Sequence, residues 1–164
     1  MITFTQIHVL ISLIAIFAGF VVAAGLVKGK QNNAWTPVFL WTTILTSVTG
    51  FFFPFNGFTP AFGFGIISLV VLAVTLFALY RGRLAGHWRW IYVSTALFAF
   101  YLNFFVLIVQ SFLKIPALNA LAPTQAEPPF AIAQGIAFLG FVLLGFLSIK
   151  RFHPLVPVSA SAGR

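Results

Sequence analysis

The chain has 164 residues, 61% of them hydrophobic and 6% charged, with a mean hydropathy of +1.08. A soluble domain carries about 25% charged residues, so this chain lacks the polar groups to cover itself in water, and an integral membrane protein follows. Cysteine is absent, which excludes disulfides, thiolate metal sites and thiol redox chemistry, and the net charge of +8 is accounted for below by its placement rather than by nucleic acid.

A spanning helix needs about 20 mostly apolar residues. Five segments meet this: 7–27, 35–53, 61–80, 90–112 and 130–149. The expected fold is an all-α integral membrane protein, with residues 1–164 forming one bundle of five transmembrane helices, N-terminus out and C-terminus in.

The first segment ends in Ala23-Ala24-Gly25 like a secretory signal, but nothing basic precedes it, and Lys28 and Lys30 follow. A signal peptide has the reverse charge order, so the segment reads as a retained helix. His8, Ser12, Ala15, Gly19 and Ala23 recur at spacings of four, three, four and four, which is one helical face. Small residues there let a neighbouring backbone approach closely. Gly29 falls in the following turn, where a larger side chain is expected to be tolerated.

Segment two is rich in hydroxyls (Thr42, Thr43, Thr46, Ser47, Thr49), which in membrane helices usually bond their own preceding carbonyls. Pro54 and Pro60 bracket an expected tight turn. Segment five repeats the small-residue pattern in Ala133, Ala137 and Gly140.

The stretch from Tyr101 to Gln134 carries the polar groups of interest. Amides in apolar helices are costly unless something binds them. Asn103 and Gln110 are seven residues apart, only about 20° out of register on one face. At 1.5 Å per residue, Asn103 lies roughly 16 Å inside Lys114, near the bilayer midplane. His8 and Gln134 enter from the same side. The expectation is a polar funnel with His8, Gln110 and Gln134 at the mouth and Asn103 at the bottom. The hydroxyl face of segment two forms its wall.

With five spans, Lys28, Lys30, Arg81, Arg83, Arg89, Lys150, Arg151 and Arg164 share one side, and only Lys114 falls on the other. The positive-inside rule makes the first side cytoplasmic and the funnel extracellular. Trp35, Tyr80, Trp88, Trp90 and Tyr92 gather near the cytoplasmic boundary, as interfacial rings do.

Chemistry finds few footholds. His8 is about a bilayer's thickness, on the order of 30 Å, from His87 and His153, so no pair of axial haem ligands spans the interior. The single acidic residue, Glu127, lies in a loop, so no buried carboxylate can carry protons or cations. No cluster of metal ligands or catalytic triad is legible, and no cofactor is expected.

The run YLNFFVLIVQSFLKIPALNALAPTQ, followed by PPFAIAQ, resembles small bacterial inner-membrane proteins to which no activity is assigned. DoxX-like proteins are similar only in size and hydropathy. The resemblance implies a multi-pass place in the bacterial inner (cytoplasmic) membrane and nothing mechanistic. The functional expectation is a non-enzymatic membrane protein, either an accessory subunit of a larger membrane complex or a binder of a lipophilic small molecule. Its partner is the lipid bilayer, not nucleic acid. Two alternatives are a quinone- or haem-associated redox subunit and a small transporter or channel.

Overall fold

A computed structural model describes residues 3–53 and 60–154. Its elements are α1 (Phe4–Val27), α2 (Trp35–Gly50), α3 (Pro60–Leu76), α4 (His87–Lys114), α5 (Pro116–Leu121) and α6 (Pro128–Arg151), and no strand occurs among the described residues. One wide π turn, Phe77–Arg81, continues α3. The turn expected between Pro54 and Pro60 lies mostly outside the described residues.

Local chemistry sets these limits. Thr3 and Gln6 cap the start of α1 reciprocally: the Gln6 N–H donates to Thr3 Oγ1 (3.3 Å) and the Thr3 N–H to Gln6 Oε1 (2.8 Å). At its other end the Gly29 N–H donates to the Leu26 carbonyl and the Lys30 N–H to that of Gly25, with Gly29 at φ 72°. That double bond pattern stops a helix and favours glycine at the left-handed position. Pro116 pushes Ile115 out of helical geometry (ψ 114°), which ends α4 and starts α5. Pro128 and Pro129 occupy the first turn of α6, where a missing N–H costs nothing.

Four helical stretches are long and apolar enough to cross a membrane, the character of a multi-pass membrane protein: Phe4–Val27, Phe62–Arg81, His87–Lys114 and Pro128–Arg151. At 16 residues α2 is shorter, roughly 24 Å against a hydrocarbon core of about 30 Å. Outward-facing Leu10, Phe17, Ile136 and Leu139 are all strongly exposed, as helices in contact with acyl chains would be.

The helices meet most tightly at the end that carries the basic loops. The small-residue face of α1 is buried at Ala15, Gly19 and Ala23. A Cβ on Gly19 would fall 2.5 Å from the Phe100 ring. Phe100 in turn meets Phe20 and Phe141 edge to face, each at 4.9 Å. Arg89, read in the sequence only as a topology signal, donates from Nη1 to the carbonyls of Ile149 (2.8 Å) and Phe152 (2.6 Å), so it caps the end of α6.

Two expectations are corrected here. Gly29 does not sit in a permissive turn: besides its positive φ, a Cβ there would lie 2.7 Å from the Arg151 carbonyl oxygen. Tyr92 is not an interfacial ring. It is 1% exposed and packs against Phe152, while Tyr80 and Trp90 do remain exposed.

Candidate functional site: a cavity among four helices

At the end opposite the basic loops the helices part around a cavity of about 560 Å³, lined by α1, α2, α3, α4 and the turn after α2. That volume lies within the range of small-molecule sites, about 300–1,000 Å³.

The polar floor is built from three helices. Asn103 on α4 donates from Nδ2 to Thr43 Oγ1 on α2 (3.2 Å). One helical turn along α2, Ser47 Oγ lies 3.0 Å from the Thr43 carbonyl and 3.1 Å from Ser68 Oγ on α3. Thr43, Ser47 and Ser68 are all buried. The second N–H and the carbonyl oxygen of Asn103 bond no other described residue. Thr46 also lines the cavity, but its hydroxyl is shielded from that space and has no partner among the described residues. Such a group costs about 1–3 kcal/mol when left dry.

Above the floor the walls are apolar. Leu13 and Ile16 come from α1, Val106 and Leu107 from α4. Four phenylalanines, Phe51, Phe53, Phe62 and Phe64, surround the outer part. Phe51 and Phe62 meet edge to face at 4.9 Å, which closes the side between α2 and α3.

His8 stands at the outer rim. Its Nδ1 lies 2.7 Å from Thr49 Oγ1. Thr49 has one proton and directs it to the Leu45 carbonyl at 2.6 Å, so Nδ1 is the donor to the threonine oxygen. In the neutral ring this leaves Nε2 as an acceptor. Gln110, exposed, and Lys114, at the end of α4, complete the rim.

The structure therefore brings His8, Asn103 and Gln110 to one cavity and keeps Gln134 apart. Gln134 is buried between α6 and α4, where its Nε2 donates to the Phe105 carbonyl at 3.3 Å and its Oε1 has no partner among the described residues. The cause is the loop after α4. Asn119 Nδ2 donates to the Phe112 carbonyl (3.1 Å) and Gln125 Nε2 to that of Val109 (2.9 Å). With Gln134 these amides stitch α5, the loop and α6 along one stripe of α4 carbonyls, on a side that does not line the cavity.

The sequence reading missed the phenylalanine wall and Ser68. The richness in phenylalanine was visible (22 residues), but not which rings converge. His87 begins α4 and His153 follows α6, both at the basic end, so His8 has no histidine neighbour. Among the described residues no group of three or more His or carboxylate side chains could hold a metal ion.

No protein-family model matches this chain, and no curated protein or solved structure matches it.

Proposed function

We propose that this chain is a non-enzymatic, multi-pass protein of the bacterial inner membrane that binds a lipophilic small molecule in the cavity among α1, α2, α3 and α4. The observation that carries the reading is the cavity itself: apolar walls over a floor where the Asn103 amide keeps hydrogen-bonding capacity that no described residue uses. Interhelical glue alone would account for Gln134, Gln125 and Asn119, each engaged with a carbonyl of α4. It does not account for a cavity of about 560 Å³ with the Asn103 amide at its floor. A few convergent polar groups in an apolar pocket are the common form of a ligand site.

In this proposal α2 crosses as a fifth span despite its length. It runs antiparallel beside α1, with Trp35 packed on Phe17 and Thr49 bonded to His8, and the placement of charge supports its crossing. Five crossings put eight of the nine basic residues on the cytoplasmic side, with the cavity facing outward. Native mass spectrometry from mild detergent tests the binding reading. A retained small molecule of constant mass is expected, and Asn103→Leu should release it; protein that is bare under every mild condition would refute the reading. The topology has its own test. A reporter active only in the cytoplasm should work when fused after Arg164 and fail when inserted at Gln125.

A further inference from the structure

We infer that the shoulder where the α1–α2 turn meets the end of α6 binds the phosphate headgroup of an anionic phospholipid, whose acyl chains lie along the exposed face of α6. This site is at the basic end of the molecule and stands whether or not the cavity binds anything.

The backbone gathers the charge. Gly29 lies against the last turn of α6, where a Cβ on it would fall 2.7 Å from the Arg151 carbonyl oxygen. Lys28 and Lys30 flank Gly29, and Lys150 precedes Arg151. Consecutive Cα atoms are about 3.8 Å apart, so the backbones of these four cations fall within about 14 Å of one another. All four residues are exposed. Arg89 adds a fifth charge from α4, donating to the Ile149 and Phe152 carbonyls. Little in the chain opposes them. The end of α6 supplies about half a negative charge through its dipole. The single acidic residue, Glu127, stands at the start of the same helix, roughly 35 Å away. A concentration of cations with no acid beside it draws an anion from outside the chain.

Lys150 decides what carries that anion. Leu139, Leu143, Phe146 and Lys150 follow at spacings of four, three and four, which is one face of α6. The three apolar members are each more than half exposed, so in a bilayer acyl chains cover this stripe. The Lys150 ammonium does not extend past the helix end. It turns back over the Phe146 ring, 4.4 Å from the centroid, a cation–π contact that keeps it at the basic end of the stripe. A soluble anion would have to leave water to meet a cation held beside acyl chains. A phospholipid brings its phosphate to that depth with its own chains alongside. A zwitterionic headgroup also brings a cation, which the neighbouring lysines and arginines repel, so an anionic headgroup is favoured.

The test uses the full-length chain purified in mild detergent, with phosphatidylglycerol, phosphatidylcholine and sn-glycerol 3-phosphate as probes. At equal supply of the two lipids, native mass spectrometry should show phosphatidylglycerol retained at least about tenfold over phosphatidylcholine. Lys150→Gln should lower that retention about fivefold, the effect of one basic residue at an anionic surface, and Lys28→Gln combined with Lys30→Gln about twentyfold. Lys150→Arg keeps the charge and should keep at least about half of the retention. Arg81→Gln combined with Arg83→Gln removes the same charge at the end of α3, which packs on α2 and α4, and should change retention less than about twofold. Equal losses from the two double variants would show a diffuse field and overturn the site. Equal retention of the two lipids, or a loss in Lys150→Arg as large as in Lys150→Gln, would overturn it as well. Displacement of phosphatidylglycerol by an equal concentration of sn-glycerol 3-phosphate would assign the shoulder to a soluble phosphate and overturn the lipid as its source.

Discussion

Towards the basic side, side chains fill the space between helices: at mid-depth Phe100 lies against Gly19 with no room for a methyl group, and at the end Arg89 reaches across to the last carbonyls of α6. At the opposite end the same helices surround about 560 Å³ bounded by phenylalanine rings and a few polar side chains. Both ends are apolar in composition, so hydropathy does not separate them. Residue size and polar placement do. In a bilayer, where helix association depends on close packing rather than on escape from water, the filled end provides cohesion and frees the other end to remain hollow.

The contrast can be broken most forcefully at Gly19. Gly19→Ala should cost about 1–3 kcal/mol, the usual range for overpacking a filled core. Gly140→Ala, where an added Cβ meets nothing within 4 Å, should be neutral or stabilising through helix propensity. Reversible unfolding in mixed micelles measures both, and equal effects would show that the Gly19 seam is not a tight contact.

Arg89→Met should cost about 2 kcal/mol, because two carbonyls lose a charged donor. The loss should appear as proteolytic fraying after Ile149 before global unfolding. Arg89→Lys should recover only part of it, since an ammonium cannot reproduce the reach and planar fork of the guanidinium.

At the hollow end the effects should be smaller. Gln134→Leu removes one bond of 3.3 Å together with a partnerless oxygen, so stability should change by less than about 0.6 kcal/mol. Asn103→Leu should stay within the same limit while abolishing retention of the small molecule proposed for the cavity. A large fall in melting temperature with retention unchanged would reassign Asn103 to glue.

The smallest effect concerns Glu127. Desolvation nudges its carboxyl upward, but hydrogen bonds from the Thr124 hydroxyl and from backbone N–H groups outweigh it and hold the carboxyl below its ordinary range. A group depressed in the folded state stabilises the fold above its ordinary value, and that contribution is lost as pH falls through the lowered one. Acid should therefore loosen the loop before α6. The Thr124 amide resonance should follow this titration, and Glu127→Gln should abolish it.

The helical class and the long apolar segments were legible because they follow from hydropathy summed over many residues. The meeting of His8, Asn103 and Gln110 was legible too: a spacing of seven fixes a face, and the depth of a residue follows from its distance to the helix end. Gln134 was not, since depth says nothing about which side of α4 the returning helix takes. That choice is made by Asn119 and Gln125, whose acceptors are backbone carbonyls. Carbonyls occur at every position and leave no mark in a sequence. The bonds of Arg89 were hidden for the same reason.

Arg89 also has a temporal consequence. Its acceptors lie 60 and 63 residues further along the chain. At a synthesis rate of about 5–20 residues per second, they emerge roughly 3–12 s after the arginine. During that interval the guanidinium can rest among lipid phosphates or water at the interface, as long basic side chains do. The closure of α6 on α4 through Arg89 therefore has to wait for that interval to pass. A ribosomal product cut short before Ile149 would carry a bundle that never latches, with the outer face of α4 bare to any protease that patrols the membrane.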